Sequence, residues 1–422
     1  MHRTQKALRQ AERLGGADAL NCIAELNEFA LEEANFQGRK PSEASGMPGE
    51  LLLRGVPILV KDNIDVKGLH TTAGSLALSD NLALSDAPVI RNLRRHGAVI
   101  LGKSNMTEFA NYVSSKMPGG YSSRGGQVIH AISESATPGG SSSGSGVAVS
   151  SGIVSMAVGT DTSFSIIGCA MLNGICGIKP PVGMLSQEGI VPISKTLDSP
   201  GPMAENMLDA LRMYRAMRDE PFPDLKPTPY DRLKIAVNRA NWDSVEPDMK
   251  VYIEKTIDTL KSLCASFKDI VQEKEPALKT IMKWEFKPLL EAYLRTSTAS
   301  RKTLSEIVEY YEDNPDTMMK YGIDYLRGAL DETPGGLLGE EYLEALRYRK
   351  GRIEKVRSEI EDIDAVIITG PTNVSHLCGF PAVTIAGSEK NANGIRQCLM
   401  MYGPDEKRLY SAALSIERII RY

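Results

Sequence analysis

A run of glycine and serine that passes without a break into apolar residues restricts this chain more than any other feature. Residues 119–145 hold Gly119-Gly120, Gly125-Gly126 and the start of Gly139-Gly140-Ser141-Ser142-Ser143-Gly144-Ser145-Gly146, and Val147-Ala148-Val149 follows at once. Glycine and serine at this density can make a flexible linker. A linker does not normally enter a core so abruptly. The segment therefore predicts a rigid loop whose backbone closely approaches another part of the molecule, which glycine permits.

Around that loop the apolar residues come in short continuous runs rather than in alternation. Val56–Val60, Ala98–Leu101, Leu233–Val237 and Ala365–Thr369 read as strands buried on both faces. Helical patterns separate them: residues 5–36 up to a stop near Phe36-Gln37-Gly38, then Val89–His96, then a helix start over Met106–Tyr112. A polar link is expected over Lys40–Glu50. From about Glu246 to Asp362 the chain turns helical and charged, with Ile253, Ile257, Leu260 and Cys264 on one face; Leu409, Ala413, Ile416 and Ile420 repeat that spacing near the end. The alternation predicts an α/β fold with a largely buried sheet.

Composition narrows the function classes. Among 422 residues, 49 Lys+Arg face 53 Asp+Glu, a net charge of −4, so no basic footprint for nucleic acid exists. No stretch approaches the ~18 uninterrupted apolar residues of a membrane span. Met1–Lys6 leads into a charged helical pattern without the apolar core of a secretory signal. The six cysteines lack a C-x-x-C pair and read as reduced thiols of a cytoplasmic protein.

Several chemistries can be weighed on the residues. The glycine-rich loop has no lysine where a P-loop needs one, and G-x-G-x-x-G is missing. No histidine pair stands at metal-ligand spacing, so no metal is expected. Gly140-Ser141-Ser142-Ser143-Gly144 fits G-x-S-x-G with Ser142 as nucleophile; an Asp364/His376 pair would have to complete that triad, since His376 is the only histidine after Ser142. Lys61 ends the buried run Val56–Val60, where desolvation would lower its pKa toward that of a useful base. The same lysine could instead snorkel to the surface or pair with Asp62. In Val158–Ile166, a strand edge followed by a tight polar turn could aim several backbone N–H groups at one spot.

Together these segments resemble the amidase signature family, serine hydrolases with a Ser–cis-Ser–Lys triad. The resemblance rests on Arg54–Asn63, Gly97–Phe109, Pro138–Ser145, Gly159–Ile166, Cys176–Pro180, Leu197–Met203 and Gly379–Ile385, in the family's order. It implies a single α/β domain over residues 1–422, with a central mixed β-sheet flanked by helices on both faces and a variable, mostly helical segment over 246–362. It also implies cleavage of a small-molecule amide without cofactor or metal, by a monomer or homodimer. Ser165 would be the nucleophile, Ser141 the cis-serine relay and neutral Lys61 the base. Backbone N–H groups of Thr162, Ser163, Phe164 and Ser165 would hold the oxyanion, with Ser142 and Asp161 in support. The alternatives are a glutamine-hydrolysing A-type component of an amidotransferase complex and a catalytically weakened amidase-like binding protein.

Three departures from the family pattern carry expectations of their own. Phe164 replaces the usual glycine before the nucleophile; it either keeps ordinary φ or tilts the oxyanion hole, and it should narrow the pocket toward slender acyl groups. Ile167 and Cys169 stand where many members have Arg and Pro, so Asp161 needs another partner. The region before Gly379 is short, so a wall of the substrate pocket should be missing.

Overall fold

The apolar run that begins at Val56 becomes a strand because every side chain along it finds a hydrophobic neighbour on one face or the other. In the computed structural model, which describes residues 1–39, 51–334 and 336–421, the strands are β1 (Ile23–Leu26), β2 (Pro57–Lys61), β3 (Val99–Ser104), β4 (Tyr121–Ser122), β5 (Gly126–Gln127), β6 (Met156–Asp161), β7 (Cys176–Lys179), β8 (Ser199–Ala204), β9 (Lys234–Asn238), β10 (Ser266–Ile270), β11 (Ala365–Ile368), β12 (Ala382–Lys390) and β13 (Arg396–Tyr402). Eleven of them form one sheet, ordered β1-β3-β2-β6-β8-β7-β12-β13-β11-β9-β10, while β4 and β5 pair separately. The sheet is mixed: β2 runs parallel to both β3 and β6, and β9 parallel to β10 and β11, whereas β6, β8, β7, β12 and β13 pair antiparallel in succession. The four strands read from the sequence are β2, β3, β9 and β11.

Helices cover both faces. Ile58 and Val60 point into one core with the helices Pro88–Arg95, Met207–Met217, Pro247–Leu263 and Glu406–Arg421. Leu59, between them, points into the other with His2–Leu14, Ser143–Ser150 and Ile167–Leu172. A third cluster, including Phe109, Tyr112, Phe286, Leu290 and Tyr311, packs the helices Ala277–Thr296 and Leu304–Asp313 together.

Two helical expectations fail. Residues 5–36 form two helices, His2–Leu14 and Ala30–Arg39, separated by β1, which pairs antiparallel with β3. An open sheet edge there accepts backbone hydrogen bonds that outweigh a weak helical pattern. Met106–Tyr112 makes only a short turn, in which Phe109, Ala110 and Asn111 all have positive φ (43°, 53° and 69°). Glu108 fixes that turn by accepting from Ser123 N at 2.7 Å and from Ser123 Oγ at 2.7 Å, with the Tyr311 hydroxyl on the same carboxylate. The link expected over Lys40–Glu50 lies outside the described residues.

The glycine–serine run packs inside the molecule as it leads into the buried helix Ser143–Ser150. Its hydroxyls are satisfied internally, Ser143 Oγ donating to Gly139 O at 2.6 Å and Ser145 Oγ to Val158 O at 2.9 Å. A Cβ on Gly144 would stand 2.3 Å from Asn105 O, which is why only glycine fits this approach.

Candidate active site

Because β2 and β6 are parallel neighbours, their C-terminal ends bring Lys61 and Thr160 together beside the glycine–serine loop. Lys61 is fully buried and does not snorkel. Its Nζ lies 2.7 Å from Ser141 Oγ and 2.8 Å from Thr160 Oγ1, and donates to Thr160 O at 3.2 Å. Asp62, the alternative partner, faces Lys103 at 3.4 Å and Arg124 at 3.3 Å instead. Burial therefore lowers the Lys61 pKa to about 7, against smaller opposing contributions from Cys169, Asp161 and Asp198.

The Gly140–Ser141 peptide is cis, and Ser141 Oγ lies 3.0 Å from Ser165 Oγ, within hydrogen-bond distance. Lysine, serine and serine thus form an unbroken line of hydrogen bonds, and Ser165 opens onto a cavity of about 370 Å³. The left-handed turn supplies Ala110, Asn111 and Tyr112 to its wall, and the helical lobe supplies Leu278, Met282 and Tyr325. Ser142 is brought to the loop but not to the cavity. Its hydroxyl donates to Thr160 O at 3.2 Å and accepts from Thr160 N at 3.4 Å, tying the loop to β6. Asp364 binds Arg408 at 2.9 Å, far from any role with His376, so the Ser142/Asp364/His376 triad is not assembled.

The turn after β6 is organised by Asp161. Its Oδ2 accepts from Ile166 N at 2.7 Å and Ile167 N at 3.1 Å, which fixes the backbone just beyond Ser165. Burial would raise this carboxyl, but His376, Lys179 and the N–H donors outweigh it and hold the pKa near the bottom of the range, at about 2. Sequence reasoning left Asp161 in need of a partner; the structure supplies His376, whose Nε2 stands 3.1 Å from Asp161 Oδ1 with both side chains fully buried. The only hint of this in the sequence was negative, the missing Arg at Ile167.

Phe164 has φ +67°. Its side chain does not line the cavity at Ser165, so the expected narrowing does not occur. The ring lies against His376, 4.3 Å between centroids, and faces a separate cavity of about 720 Å³. A Cβ on Gly168 would stand 2.9 Å from Phe164 Cβ, so the neighbouring helix start must be glycine. The Phe164 N–H is also not free: it donates to His376 Nε2 at 3.0 Å. Among the described residues, the N–H groups of Thr162, Ser163 and Ser165 have no protein acceptor, which leaves these three at the mouth of the cavity.

Comparison with known proteins bears on this arrangement. The model of the amidase family matches residues 4–378. The chain belongs to the amidase family. This amidase, an amidohydrolase acting on amides, is 31% identical over 407 residues to a probable amidase of Arabidopsis thaliana, covering 87% of this chain and 76% of that one. It is 41% identical over 205 residues to the A component of the glutamyl-tRNA(Gln) amidotransferase of Deinococcus radiodurans, a match spanning 48% of this chain and 40% of that protein. The structure of the peptide amidase of Stenotrophomonas maltophilia superposes with a TM-score of 0.87 at 28% identity, covering 99% of this chain and 93% of the other. Among the described residues of this amidase, no cluster of three or more His, Cys, Asp or Glu is placed to hold a metal, all six cysteines are free thiols, and no helix is long and apolar enough to cross a membrane.

Proposed function

We propose that this amidase cleaves a carboxylic amide through an acyl-enzyme on Ser165, with Ser141 as proton relay and neutral Lys61 as base. The observation that carries the reading is the line Lys61 Nζ–Ser141 Oγ–Ser165 Oγ, 2.7 Å and 3.0 Å, buried at the floor of the cavity. Ser165 Oγ attacks the amide carbon while its proton passes to Ser141 Oγ and that of Ser141 passes to Lys61 Nζ. A hydroxyl can both donate and accept, so Ser141 bridges a distance the lysine does not span directly. The oxyanion is received by the N–H groups of Thr162, Ser163 and Ser165. Collapse of the tetrahedral intermediate breaks the C–N bond, and the proton returns through Ser141 to the leaving ammonia or amine. Water then attacks the ester carbon and gives a proton to the same relay; the C–Oγ bond breaks to release the acid as the relay returns that proton to Ser165 Oγ.

The substrate reading follows from the cavity walls. Tyr112, Leu278, Met282 and Tyr325 offer apolar surface, and Lys279, Lys283, Asp324 and Glu332 surround it with charges of both signs. Such a wall suits an amide on a moderately sized, partly apolar acyl group, and the peptide amidase named above makes peptide amides the first compounds to test. The protein acts in the cytoplasm as a monomer or homodimer without cofactor. Its partial identity to the A component of an amidotransferase supports a second reading, glutamine hydrolysis within a complex.

The test is labelling with a fluorophosphonate followed by peptide mass mapping. Label on Ser165, lost in Lys61→Ala, is expected; a folded wild-type protein that takes no label there would overturn the reading. Hydrolysis of simple amides by the free chain would remove the amidotransferase reading.

A further inference from the structure

One nitrogen of His376 is claimed twice. Its Nε2 stands 3.1 Å from Asp161 Oδ1 and 3.0 Å from the amide nitrogen of Phe164, the residue before the nucleophile. The carboxylate oxygen needs a donor and the amide needs an acceptor, and a single imidazole nitrogen cannot be both at once. With Nε2 bare, Asp161 Oδ1 is left without a hydrogen bond, the unpaired half of a fully buried carboxylate. With a proton on Nε2, that oxygen gains a charge-assisted bond, and the Phe164 N–H must find another acceptor. Phe164 does not line the cavity, but Thr162, Ser163 and Ser165 on either side of it do, so rotation of the Ser163–Phe164 peptide turns the freed N–H from His376 toward the oxyanion that forms there.

We propose that His376 is the positioning residue of the nucleophile turn: by donating from Nε2 to Asp161 it locks the backbone around Ser165 and releases the Phe164 N–H as a further oxyanion-hole donor. The proposal rests on the acyl-enzyme reading above. Asp161 transmits the effect because its other oxygen already holds Ile166 N and Ile167 N. The surroundings favour this state. Lys179, also buried, adds positive charge near Asp161 without occupying Oδ1, since its Nζ donates to Phe380 O at 2.8 Å. Ser375 Oγ lies 3.4 Å from Nδ1 and can donate to it when the proton sits on Nε2. No group transfer involves the imidazole, which is fully buried against Asp161 and Phe164.

The experiment compares fluorophosphonate inactivation of the wild type with that of His376→Ala, His376→Gln and His376→Asn. The Gln side-chain amide reaches the place of Nε2, whereas that of Asn reaches only the place of Nδ1. The alanine variant is expected to lose about 100-fold in the maximal inactivation rate with little change in the half-saturating probe concentration, the size of one lost oxyanion-hole donor. Gln should restore most of that loss and Asn should not. In parallel, imidazole ¹⁵N shifts of the phosphonylated wild type, which has only five histidines to assign, should place the proton on Nε2. A bare Nε2 in that adduct, an alanine variant that reacts at the wild-type rate, or equal losses in Ala, Gln and Asn would each overturn the proposal. A wild type unlabelled at Ser165 would remove the acyl-enzyme reading and this one with it, whereas full wild-type labelling combined with any of those three results removes this one alone.

Discussion

Two lysines are buried one strand apart in this amidase, and they differ in every respect except burial. Lys61 ends β2 and Lys103 lies near the end of β3, in adjacent parallel strands where Val60 pairs with Lys103 and Lys61 with Ser104. Neither has any exposed surface. Around Lys103 the sheet gathers carboxylates: Asp62 at 3.4 Å, with Asp65 and Glu25 beyond, so burial lowers its pKa while these carboxylates oppose the shift. Around Lys61 the groups within hydrogen-bond reach are hydroxyls and a carbonyl, and burial brings it to about 7. Both are lowered by burial, but one faces a carboxylate at 3.4 Å while the other, in the proposed mechanism, takes up a proton. What decides is whether a carboxylate is within reach.

The largest break in this comparison is Lys61→Ala. Removing the proposed base should lower amide turnover at least about a thousandfold, far more than the modest loss of stability expected from its cavity and its hydrogen bonds to Ser141 and Thr160. Turnover close to that of the wild type in a folded variant would end the role assigned to Lys61. Lys103→Met should do the reverse. It leaves Asp62 buried against Arg124 alone and should cost about 3–5 kcal/mol of stability in urea unfolding, with activity falling only as the folded fraction falls. Equal stability losses in the two variants would contradict the contrast.

The pH dependence sharpens the same point. The proposed mechanism needs Lys61 neutral; the neutral fraction grows with pH, so protonation below about 7 removes the active form. The rate kcat/KM should thus fall about tenfold per pH unit on the acid side of 7 and level off above it. A profile flat down to pH 5 in folded enzyme would exclude Lys61 as the base. The smallest effect is expected for Thr160→Val. The threonine hydroxyl accepts from both Lys61 and Asn63, at 2.8 Å and 3.1 Å, so its loss should cost about 1 kcal/mol, or about fivefold in rate. A hydroxyl that accepts from an ammonium group favours the charged form. The acid limb should accordingly move to lower pH, and a shift the other way would mean that Thr160 is not an acceptor for Lys61.

Much of the site could be read from the chain because its residues occupy short segments whose local character is unambiguous. Lys61 closes an apolar run, Ser141 sits in the glycine–serine loop, and Ser165 follows a tight turn 24 residues later. The four buried strands could be read for a similar reason, since a continuous apolar run in an α/β chain needs cover on both faces. Residues 5–36 were misread because β1 is made by the edge of β3 rather than by its own pattern, and Met106–Tyr112 because Glu108 and Tyr311, far apart in the chain, hold a left-handed turn there. The direction of Phe164 was equally out of reach: its identity suggested an obstruction, and its side chain does not line the cavity at Ser165.

By itself, then, the order of residues determined the α/β class, the family and the three residues on the line from Lys61 to Ser165, since each depends on composition and spacing over a few neighbours. Only the tertiary structure decided what those residues face. Which lysine lacks a carboxylate, which way Phe164 points and that His376 meets Asp161 across 215 positions of chain are set by groups brought together from distant segments. A buried charge or amide takes its properties from such neighbours in space, whatever stands beside it in sequence.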